Sequence, residues 1–254
     1  MNILICGTGR AGKAMAEKVV LSKDHKLIGM ICRKESVNAG LDLGRLLYPN
    51  NDIFLNKEIV PIDNIAEKLN EKVDVIIDFS NKENAIPLIE LCGKIGSNLV
   101  ICTTNHSVED IANFKSKANE HGIGIAYCPN LTVGVNLLME FVSKIAKMLP
   151  TFDFEISECH PKDKGKPTTT ARMISQCINR NQIPIHSIRM NGYVGVHEVI
   201  CTDGVERITI KHESLSRQAF ANGAILAAEF IKGEKDFFMM KDIISEIANK
   251  VLIS

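Results

Sequence analysis

The 254-residue chain has no excess of charge of either sign, because Lys and Arg together number 30 and Asp and Glu also number 30. A dedicated nucleic-acid binder carries a basic surplus, so no nucleic-acid partner is expected. None of the eight cysteines forms a C-x-x-C pair. That argues against a disulfide framework and a structural zinc site, and for reduced thiols in the cytoplasm; no metal is expected. The start of the chain has no basic segment and reaches Gly7 after only four apolar residues, Ile3 to Cys6. The expectation is therefore neither a signal peptide nor a membrane span, and no membrane partner. Internal repeats and low-complexity tracts are lacking as well.

What is present is an ordinary globular balance, 45% apolar and 24% charged residues, enough to bury a sizeable core in one large or two small domains. Short continuous apolar runs at Ile3–Cys6, Leu27–Cys32, Val73–Phe79, Leu99–Cys102 and Ile123–Cys128 suit parallel strands buried on both faces. Helical periods lie between several of them, over Arg10–Leu21, Glu83–Ile95 (Pro87 near its first turn) and Val108–His121. This alternation predicts a Rossmann-type parallel sheet with helices on both faces. The segment 38–63 has no clear pattern. After Pro129 the pattern changes. Val133–Leu149 reads as a long helix, Phe152–Glu158 as a half-exposed strand, Cys159–Thr170 as a polar loop and Thr170–Asn179 as a helix. Ile185–Cys201 and Val205–His212 read as strands joined by a turn at Thr202-Asp203-Gly204. The second half is therefore α+β with a mostly antiparallel sheet, and Ser216–Lys232 and Lys241–Leu252 are terminal helices. Residues 1–128 are expected to form the dinucleotide-binding domain, completed by the C-terminal helices of 215–254. Residues 129–214 are expected to form the second, α+β domain.

Gly7-Thr8-Gly9-Arg10-Ala11-Gly12 fits G-x-G-x-x-G between a strand and a helix. Gly7 turns the chain off the strand, Gly9 leaves room for a pyrophosphate, and Gly12 lets helix and strand pack closely. The free N–H groups and positive end of the helix then face the phosphates, Arg10 and Ala11 among them. The alternative is a structural tight turn. The second strand ends in Cys32-Arg33-Lys34. Two cations at the ribose-reading position favour the 2′-phosphate of NADPH, with NADH as the alternative cofactor; otherwise they are solvated loop charges.

In the second half, His160, Lys162, Asp163, Lys164 and Lys166 form a local positive field suited to a small anionic substrate such as a dicarboxylate. Histidine can deliver a proton near neutral pH, and lysine can hold a carboxylate. Thr168, Thr169 and Thr170 could add donors at the start of the next helix. A solvated surface loop is the alternative reading.

On these residues the chain resembles the dihydrodipicolinate reductase family over nearly its whole length. Gly9-Arg10-Ala11-Gly12 is similar to that family's G-R-M-G, and Asp78-Phe79-Ser80 to its D-F-T/S. Cys102-Thr103-Thr104-Asn105 stands where the family has G-T-T-G. Pro129-Asn130-Leu131-Thr132-Val133-Gly134-Val135-Asn136 is close to P-N-F-S-x-G-V-N. Glu155 to His160 resembles E-I-x-E-x-H, which opens the H-H-x-x-K segment. Gly195-Val196-His197 and Phe220 to Ala224 match C-terminal signatures. The resemblance implies an NAD(P)H-dependent reduction of a cyclic unsaturated imine dicarboxylate in the lysine and diaminopimelate pathway. By position, His160 is the proton donor and Lys164 binds substrate and assists. Thr170 holds a substrate carboxylate, with Thr169 beside it. Phe79, Ser80, Cys102, Thr103, Thr104, Pro129 and Asn130 surround the cofactor, and Thr104 also reaches the substrate. The resemblance further implies a homotetramer built by the second domain.

The departures lie mostly on the substrate side. The second histidine of the family's pair is Pro161, the loop from Lys164 to Pro167 is one residue shorter, and the glycine of P-S-G-T-A is Thr169. Cys102 and Asn105 replace both glycines of G-T-T-G. Lost polar partners shift substrate discrimination strongly. A paralogous imine or enamine reductase with another substrate is thus the alternative, and a non-catalytic NADP-binding regulator is a second.

Overall fold

The structure, a computed structural model, describes residues 1–216 and 218–253; residue 217 of the expected terminal helix and residue 254 lie outside the described residues. The strands are β1 (Asn2–Cys6), β2 (Lys26–Cys32), β3 (Ile59–Pro61), β4 (Val75–Asp78), β5 (Asn98–Ile101), β6 (Ile125–Tyr127), β7 (Asp153–His160), β8 (Ile185–Arg189), β9 (Gly195–Thr202), β10 (Arg207–Ser214) and β11 (Phe237–Met239). The helices are α1 (Arg10–Val20), α2 (Leu43–Leu47), α3 (Ile65–Lys68), α4 (Ala85–Ile95), α5 (Val108–His121), α6 (Val133–Met148), α7 (Thr169–Ile178), α8 (Gln218–Phe230) and α9 (Met240–Ile253). They group into two compact units, Met1–Leu131 with Phe220–Ile243, and Thr132–Ala219 with the described residues from 244 to 253. Among the described residues no helix is long and apolar enough to cross a membrane.

The first unit holds a seven-stranded parallel sheet in the order β11-β6-β5-β4-β1-β2-β3. Its central strands are apolar on both faces because helices cover both, so Ile3, Leu4, Ile5, Ile76 and Ile77 are wholly buried. The chain runs outward from β1 on both sides. The β1–β4 boundary is thus the topological switch point, where loops part above the strand ends and leave room for a ligand. Helix α1 lays Met15, Ala16 and Val19 on the sheet. Helix α5 begins in a capping box, Ser107 with Asp110, and ends at the left-handed Gly122.

The unassigned stretch 38–63 contains α2 and β3. It is organised by a side chain rather than by periodicity: the Asp42 carboxylate accepts from the N–H groups of Gly44, Leu55 and Lys57. These bonds hold the carboxyl below the usual range despite the opposing effect of desolvation. The seventh strand, β11, has only three residues and escapes a period-two reading; its pairing with β6 makes it a strand.

The second unit carries a four-stranded sheet, β10-β9-β7-β8, antiparallel except for the β7–β8 pair. Val135, Leu138, Met139 and Val142 of α6 pack with Ala171 and Ile174 of α7 against Phe154, Ile156 and Val199 of the sheet. Two expectations need correction. The run Ile185–Cys201 is not one strand but β8 and β9, parted by a turn in which Gly192 has φ +96°. The strand expected to end at Glu158 continues to His160, because Cys159 and His160 keep pairing with β8. His160 therefore stands on a rigid strand end, not in the lysine-rich loop.

Candidate active site

In the first unit the glycine turn is built by contact. A Cβ on Gly12 would lie 1.9 Å from the carbonyl oxygen of Gly7, and one on Gly7, at φ +108°, would meet the Phe79 backbone at 2.7 Å. Above Gly9 nothing lies within 4 Å of such an atom. Gly9 is the N-cap of α1 and makes no side-chain cap, and the first turn carries no acidic residue. The leading N–H groups of α1, including those of Arg10, Ala11 and Gly12, therefore have no acceptor within the helix, the condition under which a helix N-terminus can take an anion.

Past β4 and β5, Phe79, Ser80, Cys102, Thr103 and Thr104 line, with Ala11, a cavity of about 550 Å³. Asp78 sits beneath it, fully buried. It accepts from the N–H and hydroxyl of Ser80, which pins the turn after β4. Burial pushes its carboxyl up to about 6, against the lowering effect of the Ser80 bonds. The turn after β5 is held by a residue not anticipated from the sequence, His106, whose Nε2 lies 2.8 Å from the Thr103 hydroxyl. The His106 ring stacks edge-on against Phe114 and Tyr127. Asn105 has φ +67°. Asparagine tolerates that left-handed conformation, so the replaced glycine leaves the turn intact. Arg33 and Lys34 are exposed just beyond β2. The loop they begin is tied to the glycine turn through Asn38 Nδ2, which donates to Thr8 Oγ1 at 3.0 Å. Pro129 and Asn130 follow β6 half-buried and are not among the residues that line the cavity.

In the second unit strand register gathers a buried cluster around Glu158. Glu158 lies opposite Ser187 on β8 and His197 on β9, while His160 lies opposite Arg189. One carboxylate oxygen accepts from Ser187 Oγ at 2.6 Å and Arg189 Nη2 at 2.8 Å. The other accepts the Thr168 hydroxyl and lies 3.5 Å from His160 Nδ1 and 3.9 Å from His197 Nε2. The two imidazoles meet edge-on with centroids 5.0 Å apart. Desolvation alone would raise the Glu158 carboxyl, but the bonds from Ser187, Thr168 and Arg189 outweigh it and bring it down to about 2. His197 is lowered to about 4 by burial, with neighbouring His160 adding to the effect, so it is neutral at physiological pH. His160 is lowered by burial, and the Glu158 charge opposes that fall.

Glu158, His160 and His197 bring three donor atoms within 4.8 Å of one another, a spacing a cation could use. The Arg189 guanidinium already neutralises the carboxylate, however, and the Thr168 hydroxyl takes the shared oxygen, so the cluster reads as an acid–base network. Because the native Glu158 carboxyl lies below its ordinary 4.5, its stabilisation is complete above that pH. It is lost as pH falls toward 2. A Glu158→Gln variant should lack this part of the acid transition, which circular dichroism during an acid titration reads out.

Thr168 is also the N-cap of α7, its hydroxyl accepting from Ala171 N. Thr169, exposed, and Thr170, half-buried, occupy the first turn of α7. Lys164 is exposed in the preceding loop, and its carbonyl accepts from Arg189 Nε at 2.8 Å. His160, Lys164, Thr169 and Thr170 are candidates from the sequence, and His197 stands there only as part of a motif. Glu158, Ser187 and Arg189 are not marked as candidates by the sequence. The spacing of Glu158 and His160 by two on a strand was a signal that they share a face; nothing local linked Arg189 to either.

Profiles of the N-terminal and C-terminal parts of dihydrodipicolinate reductase match residues 1–131 and 134–244. A 4-hydroxy-tetrahydrodipicolinate reductase of Thermosipho africanus is 37% identical over 202 residues, covering 77% of this chain and 91% of that protein. One of Methanopyrus kandleri is 30% identical over 269 residues and covers 95% of each chain. Among solved structures, a dipicolinate-bound dihydrodipicolinate reductase from Paenisporosarcina superposes with a TM-score of 0.78 at 22% identity, over 94% of this chain and 97% of that one. An amine dehydrogenase from Mycobacterium smegmatis gives 0.69 at 12% identity, covering 95% of each; both likenesses speak to the fold.

Proposed function

The chain belongs to the dihydrodipicolinate reductase family, and from that premise we propose that it reduces 4-hydroxy-tetrahydrodipicolinate, a cyclic imine dicarboxylate, with NADPH in lysine and diaminopimelate synthesis. The observation that carries this reading is the glycine turn. It is closed beneath, where Gly12 meets Gly7, and open above Gly9 at the sheet's switch point. That shape suits a dinucleotide pyrophosphate. The cavity lined by Phe79, Ser80, Cys102, Thr103 and Thr104 suits a nicotinamide ring; Pro129 and Asn130, outside that lining, are proposed to meet the cofactor from the end of β6. When bound, the nicotinamide supplies the hydride.

The chain's own residues do the rest. Leading N–H groups of α1 hold the phosphates. Lys164 and the first turn of α7, with Thr169 and Thr170, attract and hold substrate carboxylates, as does Thr104 on the nicotinamide side. His160 delivers the proton that completes the reduction. Arg33 and Lys34 meet the 2′-phosphate, so NADPH should bind more tightly than NADH. Replacing both by alanine should weaken NADPH by about tenfold, as expected for losing charge-assisted bonds, and leave NADH unchanged. Fluorescence titration measures this, and a wild-type preference for NADH would remove these cations from the cofactor site. The cytoplasmic setting and the homotetramer belong to this proposal, and light scattering checks the latter.

A second substrate is favoured by two departures from the family pattern, the exposed Thr169 side chain at the α7 N-terminus in place of a glycine, and Pro161 in place of a histidine. The test is NADPH oxidation with 4-hydroxy-tetrahydrodipicolinate generated in situ. Turnover well above the enzyme-free blank is expected. Oxidation at the blank rate, with other cyclic imine acids reduced, would transfer the assignment to the second substrate.

A further inference from the structure

We propose that Glu158 is the positioning residue of the proton donor: its buried carboxylate receives the Nδ1–H of His160, orients the ring with Nε2 as the delivering nitrogen, and offsets the imidazolium charge. The proposal deepens the function above and rests on its reading of His160 as the donor.

Geometry supports each part. His160 Nδ1 is buried and has no hydrogen-bond partner, and the nearest acid is Glu158 Oε2 at 3.5 Å. Such bonds in ligand-free sites are often long and tighten when substrate binds. Nε2 lies on the side of Gly195, where an added Cβ would stand 3.0 Å from it; the absence of a side chain there keeps that nitrogen unobstructed. The carboxylate itself cannot swing away. Ser187 and Arg189 hold one oxygen and Thr168 holds both through its N–H and hydroxyl.

The charges that face His160 are few. Glu158 is on its own strand, Arg189 on β8, His197 on β9 and Lys164 in the following loop. Burial, Arg189 and Lys164 all disfavour the imidazolium, and Glu158 favours it. A neutral His197 adds no competing charge. Removing the Glu158 charge therefore leaves every remaining influence pushing the proton off His160. An acid catalyst must be protonated to work, so the high-pH limb of the kcat profile should move to lower pH.

The test compares wild type, Glu158→Gln and His160→Asn. Glutamine keeps the shape and an acceptor for Ser187 and Arg189. In Glu158→Gln the limb should move down by about one pH unit or more, the effect of an opposite charge at this range, with NADPH affinity unchanged. In parallel, ¹⁵N NMR of the wild-type enzyme reads the ring directly and needs no variant to fold. The neutral imidazole of residue 160 should carry its proton on Nδ1. If His160→Asn loses turnover while Glu158→Gln keeps the wild-type limb, or the neutral ring is protonated on Nε2, the positioning role is wrong and the donor stands. Full turnover in His160→Asn would instead overturn the donor assignment and the positioning role with it.

Discussion

Replacing His160 with alanine should lower turnover by roughly 10²–10⁴-fold, the range lost when a general acid is removed, while NADPH binding stays at its wild-type value. The split follows from where the groups lie. The amides proposed to hold the phosphates and the cavity proposed for the nicotinamide belong to α1 and the turns after β1, β4 and β5, and His160 ends β7 in the second unit. Loss of hydride transfer without loss of cofactor affinity is what a proton donor predicts. It also separates the enzyme from a cofactor-binding regulator, which would show no turnover to lose. Stopped-flow reduction and a fluorescence titration on the same preparation measure the two quantities. Equal turnover of variant and wild type would move the proton donor to another residue.

The second large effect is expected from Gly12→Ala. The new methyl would stand 1.9 Å from the backbone carbonyl oxygen of Gly7, and a Cβ has a fixed place on its own backbone. Neither can rotate away, so α1 must lift from the turn that ends β1. Overpacking by a movable side chain costs about 1–3 kcal/mol. Here the cost should reach at least that upper value, a large share of the roughly 5–15 kcal/mol that holds a domain folded. At about 2–4 °C per kcal/mol, melting should fall by on the order of 10 °C, and added NADPH should no longer raise it. A variant with wild-type melting and wild-type NADPH protection would show that helix and turn do not touch. Gly9→Ala is the control. Its methyl meets nothing in the protein, so it should spare stability and weaken only the cofactor.

The first sheet was legible because its signals are local. Parallel strands covered on both faces are uninterrupted apolar runs, and Ile3 to Cys6 or Val75 to Ile77 can be recognised without knowing their neighbours. The glycine turn is legible for the same reason, since six consecutive residues carry its whole requirement. Stretch 38–63 was not, because its order comes from one carboxylate bonding amides as far as fifteen residues on. Strand β11 was not, because three residues become a strand only through β6. Residues 159–170 look like a loop, but the first two belong to β7. Cys159 and His160 look like the start of a polar segment, yet partners on β8 extend the strand through them.

By itself the sequence determined the class of protein and its glycine turn, and it marked one histidine and one lysine as candidates, since each depends on residue types at fixed short spacings. Tertiary structure alone decided what surrounds His160. Arg189 is twenty-nine positions away and His197 thirty-seven, and only the register of β8 and β9 on β7 brings them to one carboxylate. Register is set by the packing of whole faces against α6 and α7, a sum over many contacts that no short stretch of residues contains.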